Sequence, residues 1–181
     1  MALRVATWNV GGFRDKIKQR ELLAVAQALE IYILFIQETN FRFRRKAHCI
    51  FEEDGRSLML DAYINGWRVR FVYIYAPVTR TDTNAFFRGL HDNLQEPLPH
   101  VLLGDFNCVV DSTRDIRGPG RGKSTFNAKE LVRIRRHLSF TDAWVQLHDN
   151  LFVPTRVSRT TASRIDRIYV PDFLLPSVVS C

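Results

Sequence analysis

The chain has 181 residues, of which 46% are hydrophobic and 25% are charged, and this composition predicts one globular domain over residues 1–181. Its formal net charge of +7, carried mostly by arginine, favours a polyanionic partner, although a solvated basic surface would account for the charge equally well. The three cysteines lack metal-ligand spacing, and no signal peptide or long apolar run is present. We therefore expect free thiols, no membrane partner and an intracellular location.

The beginning of the chain predicts the element order β-α-β. LRVATWNV alternates apolar and other residues and predicts a strand over 3–10, which Gly11 and Gly12 end. IYILFIQE is short and almost wholly apolar, so it predicts a second, buried strand that ends at Glu38. Between them, KIKQRELLAVAQALE predicts a helix with an inward-facing apolar stripe of Leu22, Val25, Ala26 and Leu29.

The middle of the chain predicts a hairpin, a helix and another buried strand. The β-rich runs at 57–64 and 67–75 flank Asn65-Gly66, a dipeptide that favours a two-residue hairpin turn and hence an antiparallel pair. NAFFRGLHDNL then predicts a helix, and VLLGDFN predicts a short strand over 101–107.

The last third of the chain predicts a helix and a late strand. STFNAKELVRIRRHL predicts a helix that begins at Ser124 or Thr125, and SRIDRIYVP predicts the strand. DSTRDIRGPGRGK, at 111–123, has the composition of an exposed basic loop. Because strands and helices are mixed and include a hairpin, we expect an α+β layered fold rather than a purely parallel α/β sheet.

Polar side chains recur at or near the ends of the predicted strands, where packed sheets commonly form a site. Most of them have a structural alternative: Asn9 as a capped amide, Glu38 as a helix cap or ion-pair partner, and Asp166 as part of a surface ion pair with its flanking arginines. The set is Asn9, Glu38, Tyr75, Asp105, Asn107 and Asp166.

Asp105 and Asn107 are the pair that structural roles explain least well. Side chains two positions apart on a strand point the same way, so an anion and an amide would share one small pocket. A carboxylate such as Glu38 is a suitable hard ligand for Mg²⁺, and a second carboxylate with two amides could orient a water and donate to phosphoryl oxygens. This combination of groups suits phosphoester hydrolysis.

Five short blocks, TWNV, FIQET, VYIYAP, LLGDFN and SRIDRIYV, stand in this order along the chain. They resemble the signature blocks of the endonuclease/exonuclease/phosphatase family, and most closely the apurinic-type endonuclease domain of non-LTR (LINE-type) retrotransposons. The resemblance implies a four-layer α/β-sandwich of two packed mixed sheets flanked by helices. It also implies a phosphodiesterase, dependent on Mg²⁺ or Mn²⁺, that nicks target DNA so that reverse transcription can begin.

The resemblance also implies a role for each site residue. Glu38 would be the metal ligand, Tyr75 would contact the scissile phosphate, and Asp105 would align or activate the attacking water or protonate the leaving oxygen. Asn9 would make a polar contact in the metal and phosphate pocket. Asn107, beside Asp105, would stabilise the negative charge that develops on the phosphoryl oxygens. Asp166 matches the family aspartate that orients a catalytic histidine.

The sequence departs from the family at its end and near its first third. The family's closing Ser-Asp-His block has no counterpart, because all five histidines precede Asp166 and the sequence stops at LPSVVSC. The segment between Thr39 and Gly55 is short and lacks a family strand, and Val78 stands where many relatives have asparagine. We therefore expect an incomplete sandwich and a C-terminally truncated copy whose catalysis is crippled or lost.

Three functions remain open at this point. The first is an endonuclease domain of retrotransposon origin, acting on DNA in the nucleus or cytoplasm, with a reverse transcriptase domain in the intact element. The second is a catalytically dead remnant or nucleic-acid-binding domain, and the third is a phosphatase of the same fold acting on a small phosphoester. In the basic loop, Arg114, Arg117 and Arg121 are the candidate nucleic-acid contacts, with plain solvation as the alternative.

Overall fold

The computed structural model describes residues 3–37, 49–51, 55–64, 66–119, 121, 128–149 and 151–181. They divide into two compact units, Met1–Cys49 and Ile50–Cys181. Several predictions lie outside the described residues: Glu38, the Asn65 turn position and the helix start at Ser124 or Thr125. In the part of the chain that is described, no helix is both long and apolar enough to cross a membrane.

The first unit has the predicted β-α-β order. Its elements are β1 (Val5–Asn9), α1 (Lys16–Ala28) and β2 (Ile33–Gln37). The two strands pair in parallel, with Asn9 opposite Gln37 at their carboxyl ends. Asp15 begins the helix, because its carboxylate accepts a hydrogen bond of 2.8 Å from the Ile17 amide.

The predicted apolar stripe of α1 is only partly buried. Leu22 is buried, whereas Val25 and Leu29 are exposed. The helical spacing predicted the helix correctly, but it did not determine how much of the stripe is covered.

The second unit contains a six-stranded mixed sheet and a small three-stranded sheet. The strand orders are β3-β4-β5-β6-β11-β8 and β7-β10-β9, with β3 beginning at the boundary between the units. The strands are β3 (Cys49–Phe51), β4 (Ser57–Ile64), β5 (Trp67–Tyr75), β6 (His100–Asp105), β7 (Ile116–Arg117), β8 (Phe140–Asp142), β9 (Arg156–Val157), β10 (Ala162–Ser163) and β11 (Asp166–Pro171). The helices are α2 (Arg80–Asn93), α3 (Lys129–His137), α4 (Ala143–His148) and a 3₁₀ helix over Asp172–Ser177.

The pairing of the central strands confirms the α+β class. β4 and β5 form the predicted antiparallel hairpin, whereas β5 and β6 run parallel and β6 and β11 antiparallel. A parallel pair needs a crossover connection, and α2 supplies it between β5 and β6. The helix begins at Thr79, whose hydroxyl oxygen accepts a hydrogen bond from the Asp82 amide.

Helices α2 and α3 pack against the six-stranded sheet. Their buried side chains join sheet residues in one apolar cluster that includes Phe87, Leu90, Leu131, Ile134, Val72, Leu102 and Tyr169. Burying each large apolar side chain stabilises the fold by about 1.5–3 kcal/mol. This cluster holds β5, β6 and β11 in a fixed register, and the candidate site lies at their ends.

Several element boundaries and short elements differ from the predictions. β1 spans Val5–Asn9 rather than 3–10, β6 ends at Asp105 rather than at residue 107, and α2 begins four residues before the predicted start at Asn84. The predicted basic loop contains β7, and α4, β8, β9 and β10 were not predicted. β3 was not predicted either, and it lies in the segment between Thr39 and Gly55 that was expected to lack a strand. Strands of two or three residues are too short to show a periodic pattern.

Candidate active site

Three of the predicted site residues lie side by side on neighbouring strands. Tyr75, the last residue of β5, is opposite Asp105, the last residue of β6, and Asp105 is opposite Asp166, the first residue of β11. Directly opposite residues of paired strands project from the same face of the sheet. A phenol and two carboxyl groups therefore form a row across one end of the sheet.

Asp105 and Asn107 are positioned by a tight turn rather than by strand alternation. A carboxylate oxygen of Asp105 accepts a hydrogen bond of 2.8 Å from the Asn107 amide N–H. Asn107 has a φ of +45°, a left-handed conformation that asparagine tolerates better than most residues. Its side-chain amide donates a hydrogen bond of 2.7 Å to the carbonyl oxygen of Ala76, the residue after Tyr75.

Gly104 allows β5 and β6 to approach closely just before the site. Its φ is +131°, and a Cβ atom at this position would lie 2.1 Å from the Ile74 carbonyl oxygen. Only glycine fits, because any other side chain would overlap the neighbouring backbone. This close approach of the two backbones fixes the position of Asp105 relative to Tyr75.

The Thr155 hydroxyl group fixes the backbone where β11 begins at Asp166. The Oγ1 atom of Thr155 accepts hydrogen bonds from the N–H groups of Ile165 and Asp166, at 3.0 and 3.1 Å. Burial raises the pKa of Asp166 above its ordinary value, and Thr155 and Arg167 offset only part of this effect. A carboxyl group with a raised pKa beside a second carboxylate is a common feature of functional sites.

A buried ionic cluster lies behind this row, and the sequence analysis missed it. Arg164 bonds both Asp115 and Asp142, at 3.0 and 2.7 Å, and Arg167 bonds the same two carboxylates, at 3.0 and 3.2 Å. All four side chains are almost fully buried. The arginines that flank Asp166 thus pair with these distant aspartates, which corrects the alternative of a surface ion pair with Asp166.

The electrostatics of the cluster favour its ionised form. Burial by itself would raise the pKa of Asp115, but the facing guanidinium groups, Arg167 foremost, outweigh burial and lower this pKa to about 2. Burial likewise opposes the charge on Arg167, yet its surroundings raise its pKa overall. The cluster therefore links three parts of the second unit. They are the loop after β6 through Asp115, the start of α4 through Asp142, and the residues on either side of Asp166 through Arg164 and Arg167.

The three candidate DNA-contacting arginines each have an intramolecular partner. Arg114 pairs with Asp115 at 3.1 Å and lines a cavity of about 730 Å³ beside the end of α3. Arg117 donates to three backbone carbonyl oxygens and stacks 4.3 Å over the Phe152 ring, and Arg121 donates to the Thr113 carbonyl oxygen at 3.3 Å. These contacts order the loop, so their role toward nucleic acid stays a prediction.

Asn9 lies in the first unit, where it ends β1 and is exposed. Its side-chain oxygen accepts a hydrogen bond of 3.0 Å from the Gly11 amide, so this side chain also shapes the turn after the strand. Glu38, the predicted metal ligand, directly follows β2 but lies outside the described residues.

The donor atoms of the candidate residues suit Mg²⁺ or Mn²⁺. Carboxylate, amide and phenol oxygens are hard ligands, which these ions prefer over nitrogen and sulfur. Within the described part of the chain, no three His, Cys, Asp or Glu side chains cluster to hold a metal on their own. A metal bound here would therefore keep several waters or take oxygens from its substrate, as Mg²⁺ usually does.

Fold and sequence comparisons define the class of protein. One similar structure is that of the 3′ phosphatase NExo from Neisseria bound to product DNA hairpin, at 16% identity and a TM-score of 0.73, covering 97% of this chain and 89% of that one. Another is that of an AP endonuclease from Archaeoglobus fulgidus, at 19% identity and a TM-score of 0.73, covering 96% and 88%. The fold is that of these nucleases and phosphatases.

The sequence match extends over almost the whole chain. Residues 6–181 match the Endonuclease/Exonuclease/phosphatase family, and the chain belongs to this family. A curated relative, the Transposon TX1 uncharacterized 149 kDa protein of Xenopus laevis, is 23% identical over 218 aligned residues. The alignment covers 97% of this chain but 16% of that relative, so the chain spans about a sixth of its length.

Proposed function

We propose that this chain is a DNA endonuclease domain of the non-LTR retrotransposon type, which hydrolyses a phosphodiester bond with the help of Mg²⁺ or Mn²⁺. The single observation that carries the proposal is the row of Tyr75, Asp105 and Asp166 across three paired strands. The transposon relative supports the retrotransposon origin, and the DNA-bound Neisseria enzyme supports DNA as the substrate.

Asp105, Tyr75 and Asn107 each have a distinct task in this proposal. Asp105 holds the attacking water and accepts its proton, while the Tyr75 hydroxyl donates to a phosphate oxygen. The amide of Asn107 has two N–H groups and stabilises the charge that develops on the phosphoryl oxygens. Because these groups are held by β-strands and a tight turn, little reorganisation is needed when the substrate binds.

In this proposal Glu38 would be a ligand of the metal, and Asn9 would be a polar contact to it. When bound, it would polarise the phosphoryl group and neutralise charge as the bond breaks. In the intact element, a reverse transcriptase domain would use the nicked strand as its primer. That partner domain is part of the proposal and follows from the resemblance of the five sequence blocks to the endonuclease domain of non-LTR retrotransposons.

A second candidate function is nucleic-acid binding without catalysis. It is favoured by the formal net charge of +7, most of which is carried by arginine. Arginine binds DNA phosphates through charge and hydrogen bonds, and this binding does not require a working catalytic site.

The test is nicking of supercoiled plasmid by the 181-residue chain with Mg²⁺, with Mn²⁺ and with EDTA. The expected result is metal-dependent conversion to open circle that Asp105→Asn reduces by a factor of about 100 or more.

Two further outcomes separate the alternatives. Retention of plasmid at low salt without nicking, equal in Asp105→Asn, would support the binding domain instead. Release of inorganic phosphate from a DNA 3′-phosphate or a small phosphoester, without nicking, would support a phosphatase. Glu21→Gln serves as a matched control, because it also converts a carboxylate to an amide but lies on the exposed side of α1, and it should leave every activity unchanged.

A further inference from the structure

Two histidines meet where helices α2 and α3 end. The Nε2 atom of His91 lies 2.9 Å from the Nδ1 atom of His137, and the ring centroids are 5.0 Å apart. His91 is in the last turn of α2, and His137 is the last residue of α3. His91 is partly exposed and His137 is exposed, so an ion can reach the pair from solvent.

We propose that His91 and His137 form a binding site for a transition-metal ion such as Zn²⁺, Ni²⁺ or Cu²⁺, separate from the candidate active site. Imidazole nitrogen is a preferred ligand of these ions, whereas Mg²⁺ selects oxygen. The pair would supply two ligands and water the remainder, since no third His, Cys, Asp or Glu of the described chain joins it.

The spacing of the two nitrogen atoms suits one shared ion. At metal–nitrogen distances of about 2.0–2.1 Å, two adjacent ligands lie about 2.9 Å apart in octahedral geometry and about 3.3 Å apart in tetrahedral geometry. The observed 2.9 Å equals the first value, but the two nitrogens of the hydrogen bond point at each other, so both rings would rotate to direct their lone pairs at one ion. The same rotation would bring the spacing to the second value. In the ion-free pair, one imidazole donates its proton to the other, and the metal would replace that proton.

Three neighbouring features favour a cation at this place. The carboxylate of Asp92 lies 3.8 Å from the Nδ1 atom of His91, the ring nitrogen that faces away from His137. Metal-bound histidines commonly have a carboxylate beside the non-ligating nitrogen, which fixes the ring and raises its basicity. The side-chain amide nitrogen of Gln95 lies 3.5 Å from the His91 Nε2 atom and donates a hydrogen bond of 2.8 Å to the His91 carbonyl oxygen. A half-turn of this amide would exchange that bond for a metal contact through the amide oxygen.

The third feature is the position of the pair on the helices. The carbonyl ends of both helices carry partial negative charge, which favours a bound cation within the last turn. An ion held between the helices would also link two elements that both contribute to the apolar core of the second unit. Binding should therefore stabilise the fold, whether or not the chain cleaves DNA.

The test is thermal unfolding of the full chain in the presence of Zn²⁺, Ni²⁺ or Mg²⁺, with His91→Gln, His137→Gln and the control His148→Gln. At an ion concentration about 100-fold above Kd, the first two ions should raise the Tm by about 5–10 °C, and Mg²⁺ should not. Both pair variants should lose this rise, and His148→Gln should keep it. His148 is a useful control because its ring contacts the backbone of Cys181, whose thiol could also bind metal. A rise in Tm that depended on this second pair would be lost in His148→Gln.

Cu²⁺ electron paramagnetic resonance on the unsubstituted chain gives an answer that does not depend on the stability of any variant. Hyperfine coupling to two imidazole nitrogens, reduced to one in His137→Gln, supports the site. The proposal is overturned if no ion raises the Tm, if the pair variants respond like the original chain, or if the spectrum lacks two nitrogens. The contact would then be a plain hydrogen bond between two imidazoles.

Discussion

Asp105 and Asp166 stand opposite each other in the antiparallel pair of β6 and β11. Asp105 is buried at the end of its strand, and the pKa of Asp166 is raised by burial. Burial disfavours the charged form of the Asp166 carboxyl group, so the fold accepts an electrostatic cost at this position. A cost of this kind is expected where a site is built for function rather than for stability.

Asp166→Asn should stabilise the folded chain at pH 7. The folded-state pKa of Asp166 is raised, so the protonated carboxyl group contributes to the stability of the fold at low pH. This stabilisation is lost as the pH rises through the raised pKa, and at pH 7 the buried charge destabilises the fold. The amide removes the buried charge and keeps the shape. Urea unfolding should show a higher midpoint for the variant at pH 7, and the difference should shrink at pH 3. Equal midpoints at pH 7 would contradict the prediction, and plasmid nicking should fall in the same variant.

Asn107→Ala should destabilise the chain more than Asn107→Gly. Both variants lose the hydrogen bond to the Ala76 carbonyl oxygen, but only alanine also carries the strain of a left-handed φ. We expect a loss of about 1–3 kcal/mol for alanine and a smaller loss for glycine. Denaturant unfolding of the two variants measures both values, and a glycine variant less stable than the alanine variant would show that the turn does not require this conformation.

Arg167→Met should lower the free energy of unfolding by about 3–5 kcal/mol, because it leaves buried carboxylates short of a partner. Arg167 bonds Asp115 and Asp142 and is 3% exposed. Arg133→Met is the matched control, since Arg133 is exposed on α3 and lies 3.7 Å from Glu130, one turn earlier on the same helix. A loss no larger than that of the control would mean that the cluster contributes little to stability.

Gly104→Ala should prevent normal folding, whereas Gly89→Ala should be tolerated. The added Cβ atom at residue 104 would lie 2.1 Å from the Ile74 carbonyl oxygen, while at residue 89, within α2, it would meet nothing within 4 Å. Alanine in a helix interior is favoured over glycine by about 1 kcal/mol. Circular dichroism and Tm of the two variants test the contrast, and a Gly104→Ala variant as stable as the original would show that β5 and β6 can separate.

Long periodic segments were predicted from the sequence, and short ones were not. Alternating or helically spaced apolar residues predict most of the longer elements, because these patterns are local to each segment. The elements predicted in this way are the hairpin of β4 and β5, the helices α2 and α3 and the strands β1, β2, β6 and β11. β7, β9 and β10 have two residues each, so their pairing depends on tertiary contacts rather than on a pattern. The exposure of Val25 and Leu29 shows the same limit for α1.

The candidate site was predicted residue by residue, but its supporting cluster was not. Tyr75, Asp105 and Asp166 could be assigned because they end or begin recognisable strands. Asp115 and Asp142 are separated from Arg164 by 49 and 22 positions in the chain, and no local pattern links them. The positions of Arg164 and Arg167 beside Asp166 suggested ion pairs with that neighbour. In the folded chain both arginines are buried and pair with Asp115 and Asp142 instead. The structure brings Tyr75, Asp105 and Asp166 together, but the roles of all the candidate site residues and of the loop arginines stay predictions.

Cys108 follows the turn that holds Asp105 and Asn107, and it is 1% exposed. Burial raises the pKa of its thiol to about 12, so the thiolate that alkylating reagents attack is scarce while the fold is closed. Partial burial also raises the pKa of the Cys181 thiol, but Cys181 is exposed and reagents reach it without any opening of the fold. Under excess reagent, the rate of Cys108 modification therefore measures how often the segment beside the site opens transiently. Slower modification in the presence of DNA would show that bound DNA stabilises the closed form of this segment.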